Sequence, residues 1–242
     1  MRRRYLCGAF VGVLVIAAAL SASTGGAAAP SVRHGRLLRI TNSTSTNWSG
    51  YAVTGSKFTS VSSSWTEPTA TCSATAYSSF WVGLDGDTSN TVEQTGTDAD
   101  CSGRTPQYYA WYEMYPKYPV NLSGAVHPGD KLTASVTTNG SGSFTLTIAD
   151  STQKWTFSTS QKLKSAKLAS AEVIAEAPSS SRGVLPLANF GTVSFTGASA
   201  NGALLTSSTP HIDPITMQSG STVKAQPSSI GSGAFSVAWK HS

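Results

Sequence analysis

Charge is scarce in this chain: Asp, Glu, Lys and Arg make up 12% of its 242 residues, against about a quarter in ordinary globular domains. Acid unfolding works largely by protonating paired carboxylates, so it has little here to act on. Histidine is scarcer still. Of four histidines, only His127 and His211 fall between Asn47 and Lys240, and His127-Pro128-Gly129 reads as a turn. No G-x-S-x-G elbow and no H-E-x-x-H pair occurs, which argues against a serine triad and a zinc site. Convincing helical periodicity is also missing. Only Ser160 to Ser170 has the character of a short helical turn.

The formal charge of +5 first suggests nucleic acid, until it is located. Arg2, Arg3, Arg4, Arg33, Arg36 and Arg39 precede Asn47 and no acidic residue does, which leaves −1 for Asn47 to Ser242. A basic binding patch is therefore excluded for the remainder. Met1 to Ala29 reads as a secretory signal: three arginines, an apolar run from Tyr5 to Leu20, then small residues ending in Ala27-Ala28-Ala29. That run is shorter than the roughly 20 residues a membrane span needs. Pro30 to Thr46 reads as a polar, basic leader, either a short propeptide or a plain terminus. Asn47 to Ser242 is long enough for one domain with a sizeable core. The expectation is an exported monomer with no membrane contact after signal cleavage.

Cysteine is rare too. Removing the signal removes Cys7 and leaves Cys72 and Cys101, which an oxidising compartment should pair. The closed loop would hold Trp81 to Gln94.

What is abundant is alternation at period two. It recurs in Ser60 to Trp65, Ser79 to Leu84, Gln107 to Met114, Lys131 to Thr137, Ser143 to Ile148, Gly191 to Phe195 and Ala234 to Trp239. Turn clusters such as Asn139-Gly140-Ser141-Gly142 separate these runs. Many short strands of this kind predict an all-β fold, an antiparallel sandwich or barrel.

Two strands carry chemistry. Alternation puts Tyr109, Trp111 and Glu113 on one face of their strand and Tyr108, Tyr112 and Met114 on the other. One face is core; the other is an aromatic surface holding a carboxylate, suited to a peptide or a sugar. In Ser170 to Pro178, Glu172 lies among Ala, Val and Ile, where desolvation raises its pKa and makes it a proton acceptor candidate at acidic pH. Glu176, at the strand end beside Ala177-Pro178, reads as a solvated rim residue. Asp87-Thr88-Ser89 looks like an aspartic-peptidase motif, but its only mate, Asp150-Ser151-Thr152, matches poorly.

Together these stretches resemble the glutamic peptidases, or eqolisins. The resemblance runs from Asn47 to Trp239. It rests on Asn47-Trp48-Ser49-Gly50-Tyr51, Trp81-Val82-Gly83-Leu84-Asp85-Gly86-Asp87, Gln94-Thr95-Gly96, Tyr109 to Glu113, Ser170 to Glu176 and Phe190 to Phe195. It implies a concanavalin A-like antiparallel β-sandwich of two packed sheets. It also implies a secreted acid endopeptidase acting on protein or peptide substrates without cofactor or metal. By motif, the catalytic pair falls on Gln94 and Glu172, with Trp48, Trp81, Asp85, Tyr109, Trp111 and Glu113 along the substrate cleft. The family often has tryptophan directly after the glutamate, where this chain has Val173. Two other readings fit the same residues: a carbohydrate-binding module or lectin stacking sugars on Trp81, Tyr109 and Trp111, and a two-carboxylate glycosidase using Glu113 and Glu172.

Overall fold

The structure, a computed structural model, describes residues 32–34 and 43–242. The expected signal, Met1 to Ala29, lies outside them. Within these bounds the chain is strand and turn, with no helix. The strands are β1 (Thr44–Ser45), β2 (Trp48–Thr54), β3 (Ser60–Thr66), β4 (Ser79–Leu84), β5 (Val92–Ser102) and β6 (Thr105–Tyr115). They continue with β7 (Val120–Asn121), β8 (Lys131–Thr138), β9 (Ser143–Asp150), β10 (Trp155–Lys162), β11 (Ser170–Glu176) and β12 (Ser179–Ser180). The last are β13 (Gly183–Val184), β14 (Thr192–Ala200), β15 (Ala203–Leu204), β16 (Ile212–Ser219), β17 (Thr222–Pro227) and β18 (Phe235–Trp239).

One hydrogen-bonded path runs β10-β9-β8-β3-β14-β18-β17-β16-β2-β11-β4-β5-β6-β7. It folds back on itself, so that β4 packs on β3 and β8, β5 on β8 and β9, and β11 on β3 and β14. That is the two-layer sandwich the alternation predicts. The principal ladders are antiparallel; the short β1 runs parallel to β16. Ser160 to Ser170 is not a helical turn: its first residues extend β10 and its last begins β11. Pairing with β9 through Lys162 satisfies the backbone groups that a helix would otherwise have to satisfy internally.

The main core lies between the layers, with Trp65, Phe80, Phe144, Phe190 and Phe195 among its largest side chains. Cys72 and Cys101 form the expected disulfide, Cα atoms 5.4 Å apart. Closing a loop of this length contributes on the order of 3 to 4 kcal/mol in the chain-entropy model. The loop contains all of β4 and most of β5.

A second apolar cluster sits on the opposite face of the β2-β11-β4-β5-β6 layer: Trp48, Ala52, Trp81, Val92, Trp111, Ile174 and Ile215. This layer is therefore covered on both sides, and all seven residues of β11 are buried.

Candidate active site

Strand register assembles the site. Glu172 pairs with Gly83, Gly83 with Gln94, and Gln94 with Glu113, so one row crossing four strands carries Glu172, Gly83, Gln94 and Glu113 on one face. Two strand spacings, roughly 10 Å between Cα atoms, separate Glu172 from Gln94. Gly83 lets neighbouring side chains pack close against the strand between them: a Cβ there would stand 2.9 Å from Trp81 Cζ3 and 3.2 Å from Gln94 Cβ and Val92 Cγ1. The next row carries Ile174, Trp81, Gly96 and Trp111. Gly96 accommodates close contact, since a Cβ would meet the Phe80 carbonyl oxygen at 2.2 Å. A third row carries Trp48, Glu176, Ser79, Asp98 and Tyr109.

Gln94 donates through Nε2 to Glu113 Oε2 at 3.1 Å. Its Oε1 and both oxygens of Glu172 accept no well-formed hydrogen bond among the described residues, although both residues are fully buried. Burial pushes Glu172 well above the usual carboxylate range, and the nearby charges of Asp87, Asp85 and Glu93 push it further, while Ser170 opposes them. Burial also raises Glu113, with His34 offsetting part of the rise. Glu93, buried and repelled by Asp85, is pushed up to about 9.

The aromatic residues form the walls. Trp48 meets Trp81 edge to face, centroids 5.0 Å apart. Trp111 donates to Asp98 at 2.6 Å, and the Tyr109 hydroxyl is 2.8 Å from both Asp98 and Asp100. Burial and these two carboxylates raise the Tyr109 phenol. Burial and the charge of Asp98 raise Asp100 to about 8.

Two residues behave differently from their sequence reading. Glu176 is not a solvated rim residue: it is fully buried and accepts from Trp81 Nε1 at 2.8 Å and Asn47 Nδ2 at 3.2 Å. The strand end is covered because the chain before β2 folds over it, and those two donors replace water. Asp85, expected along the cleft, directs its carboxylate to the backbone N–H groups of Lys167, Leu168 and Ala169 at 2.8 to 2.9 Å. It anchors the turn that delivers β11, and through it Glu172. Asp98 was not singled out by sequence, although Gln94, Gly96, Asp98 and Asp100 share one strand face by simple alternation. His34 was not either. Its imidazole lies in the site, stacked on Trp111 at 3.9 Å between centroids.

The profile of the peptidase A4 family matches residues 46–239. The chain belongs to the peptidase A4 family, the eqolisins. Within this family it is 31% identical to aspergillopepsin-2 of Aspergillus niger over 181 residues, 64% of each chain. It is 40% identical to scytalidopepsin B of Scytalidium lignicola over 112 residues, 45% of this chain and 42% of that protein. The chain thus spans less than two thirds of the length of each of these two relatives. Its fold is similar to that of scytalido-glutamic peptidase solved with a transition state analog inhibitor: TM-score 0.71, 29% identity, 81% of this chain and 98% of that one. The eqolisin sandwich is the fold described above.

Proposed function

We propose that the protein is a secreted acid endopeptidase in which Glu172 and Gln94 act on a peptide bond held between them. The observation that carries this reading is the row Glu172-Gly83-Gln94, which sets a buried carboxyl and a buried amide on one face two strands apart, with no well-formed hydrogen bond to Gln94 Oε1 or to either Glu172 oxygen among the described residues. In the proposed reaction Glu172 takes a proton from a water, and the water oxygen attacks the peptide carbonyl. Gln94 donates an N–H to the oxyanion that forms, and protonated Glu172 then passes its proton to the leaving amine. A neutral amide suits this role in acid because it need not titrate to stabilise negative charge. Glu113 fixes which end of the Gln94 amide faces it, since its Oε2 accepts from Gln94 Nε2 and from the His34 backbone N–H. The elevated pKa of Glu172 accompanies a covered cleft; opening that admits water to the carboxyl draws it back toward its ordinary range, where it can serve as a base.

The glycosidase reading fits less well. Glu113 and Glu172 lie three strand spacings apart, about 14 Å between Cα atoms with Gln94 between. The Glu113 Oε2 oxygen is already engaged by the Gln94 amide and the His34 backbone N–H. A sugar platform is also disfavoured, because the Trp81 and Trp111 rings are enclosed and their N–H groups already donate to Glu176 and Asp98.

The test is cleavage of a denatured protein from pH 2 to 7, with pepstatin and a chelator as controls. Acidic hydrolysis resistant to both, and reduced by about two to three orders of magnitude in Gln94→Ala, supports the pair. Unchanged hydrolysis in that variant refutes it.

A further inference from the structure

Asp98 and Asp100 lie two apart on one face of β5, and Tyr109 stands against them on β6, directly opposite Asp98. The Tyr109 hydroxyl oxygen is 2.8 Å from Asp98 Oδ2 and also 2.8 Å from Asp100 Oδ2. A phenol has one hydrogen to donate. It satisfies one carboxylate, so the other contact is a hydrogen bond only if that carboxyl holds a proton and donates it to the phenol oxygen.

The surroundings decide which carboxyl holds it. Asp98 Oδ1 accepts from Trp111 Nε1 at 2.6 Å, and its Oδ2 also lies 3.1 Å from His34 Nε2. Asp100 Oδ1 accepts from the Ser78 N–H at 3.1 Å, and its Oδ2 faces the phenol. Asp98 is therefore the acceptor end and Asp100 the donor end. Asp100 cannot turn away, because its backbone is pinned on both sides. Cys101 makes a two-way backbone bridge with Ala76, N···O 2.8 and 3.1 Å, and is held to Cys72 by the disulfide. On the other side the Ala99 N–H donates to the Ser78 carbonyl at 2.9 Å, and the Ala99 carbonyl accepts from Ser78 Oγ at 2.7 Å. Asp100 is 5% exposed, so a second negative charge beside Asp98 would be poorly solvated. Burial and Asp98 hold Asp100 near 8 against Tyr109, Ser78 and the charge of His34. Tyr77 also faces Asp100, and Glu67 faces Asp98.

We infer that Asp100 is a positioning residue: protonated, it donates to Tyr109, which donates to Asp98, and this chain of hydrogen bonds fixes the cleft wall against which substrate is held. The inference rests on the reading of this cleft as the peptidase site. Asp98 is four residues from Gln94, about 13 Å along β5, so the chain governs substrate binding and not the bond-breaking step.

The test compares the full chain with Asp100→Asn, Asp100→Ala and Tyr109→Phe. Asparagine reproduces the protonated acid: its Oδ1 accepts from the Ser78 N–H, which leaves Nδ2 to donate to the phenol oxygen. At pH 4 to 5, Asp100→Ala and Tyr109→Phe should each raise KM about tenfold, the worth of one such hydrogen bond, with little change in kcat. Asp100→Asn should bring KM back to within about threefold of the unaltered chain. Asparagine as damaging as alanine, unchanged KM in Asp100→Ala or Tyr109→Phe, or a fall in kcat in place of the rise in KM overturns the inference. Nuclear magnetic resonance of isotope-labelled aspartate carboxyl carbons keeps the two readings separable. One resonance, missing in Asp100→Asn, should stay at the position of a protonated carboxyl through pH 6 and titrate near pH 8. An ionised Asp100 at pH 6 overturns the inference whether or not the protein hydrolyses peptides. A protonated Asp100 in a folded protein that cleaves no peptide refutes the peptidase reading and upholds the hydrogen-bonded chain.

Discussion

Strands β10 and β11 show how differently two parts of one sandwich treat polar residues. In β10, partly buried and exposed positions alternate along all eight residues; one face packs and the other meets water. In β11 every residue is buried, yet Glu172 and Glu176 are among them. Water solvates the polar side chains of β10, and changing them should matter little. In β11 no water plays that part, so each carboxyl needs a donor, a proton or a role in chemistry. Glu176 has donors from Trp81 and Asn47; Glu172 has no well-formed hydrogen bond among the described residues. That contrast separates a structural carboxylate from the proposed catalytic one four residues away.

The sharpest way to break the contrast is to crowd the strand between Glu172 and Gln94. Gly83→Val places methyl groups against Trp81 and Gln94, where even a Cβ is tight. Peptidase activity should fall at least about 100-fold, roughly 2.7 kcal/mol of barrier, while circular dichroism shows a folded sandwich. Full activity in a folded Gly83→Val protein would mean that the reaction does not depend on the packing between the pair.

Asp85→Asn comes next. Each carboxylate oxygen of Asp85 accepts from the turn preceding β11, and an amide offers only one acceptor oxygen. At least one buried backbone N–H loses its partner, at a cost of about 1 to 3 kcal/mol, read by urea unfolding. No change in midpoint would show that the turn holds without that anchor.

The pH dependence of stability sharpens the comparison further. Burial lifts Glu67 to about 8 against the donors Thr97 and Trp65, Glu93 to about 9 and Asp100 to about 8. The ordinary values are 4.5 for Glu and 3.8 for Asp. A carboxyl raised in the folded state favours the protonated fold, so its contribution is complete below the ordinary value and is lost as pH climbs toward 8 to 9. Tm should therefore be highest in acid and decline from about pH 4 to 9, and Glu67→Gln should flatten that slope. A Tm that rises over this range would show that the buried carboxyls fold ionised.

The smallest effect is expected on the wet face. Thr147 Oγ1 and Ser158 Oγ are 3.0 Å apart on the exposed side of the β9-β10 pair, and Thr147→Ala should shift stability by no more than about 0.5 kcal/mol. A loss several times larger would mean that this face is covered in solution.

The same contrast explains what was legible in the sequence. Alternation is readable where one face is wet, so Lys131 to Thr137 and Ser143 to Ile148 pointed correctly to β8 and β9. The family resemblance pointed to Gln94, Glu113 and Glu172, which the register brings into one row, and export chemistry paired Cys72 with Cys101. Glu176 was misread because β11 is covered on both faces, and a covered strand end looks like a rim in one dimension. Asp85 looked like a cleft residue because its partners, Lys167 to Ala169, lie more than 80 positions away. His34 was hidden for a related reason: a short basic stretch reads as solvated leader, and only the assembled site offers Asp98, Glu113 and Trp111 as its partners.

The most direct test of the central claim is the initial rate of hydrolysis of one unstructured peptide at acidic pH by the full chain and by Glu172→Gln. Both should show the same near-UV circular dichroism. We predict measurable cleavage by the unaltered chain and a loss of at least about 1,000-fold in the variant, some 4 kcal/mol of barrier. Hydrolysis at comparable rates by both would contradict the account, because the reaction would then proceed without the carboxyl on which the proposed mechanism depends.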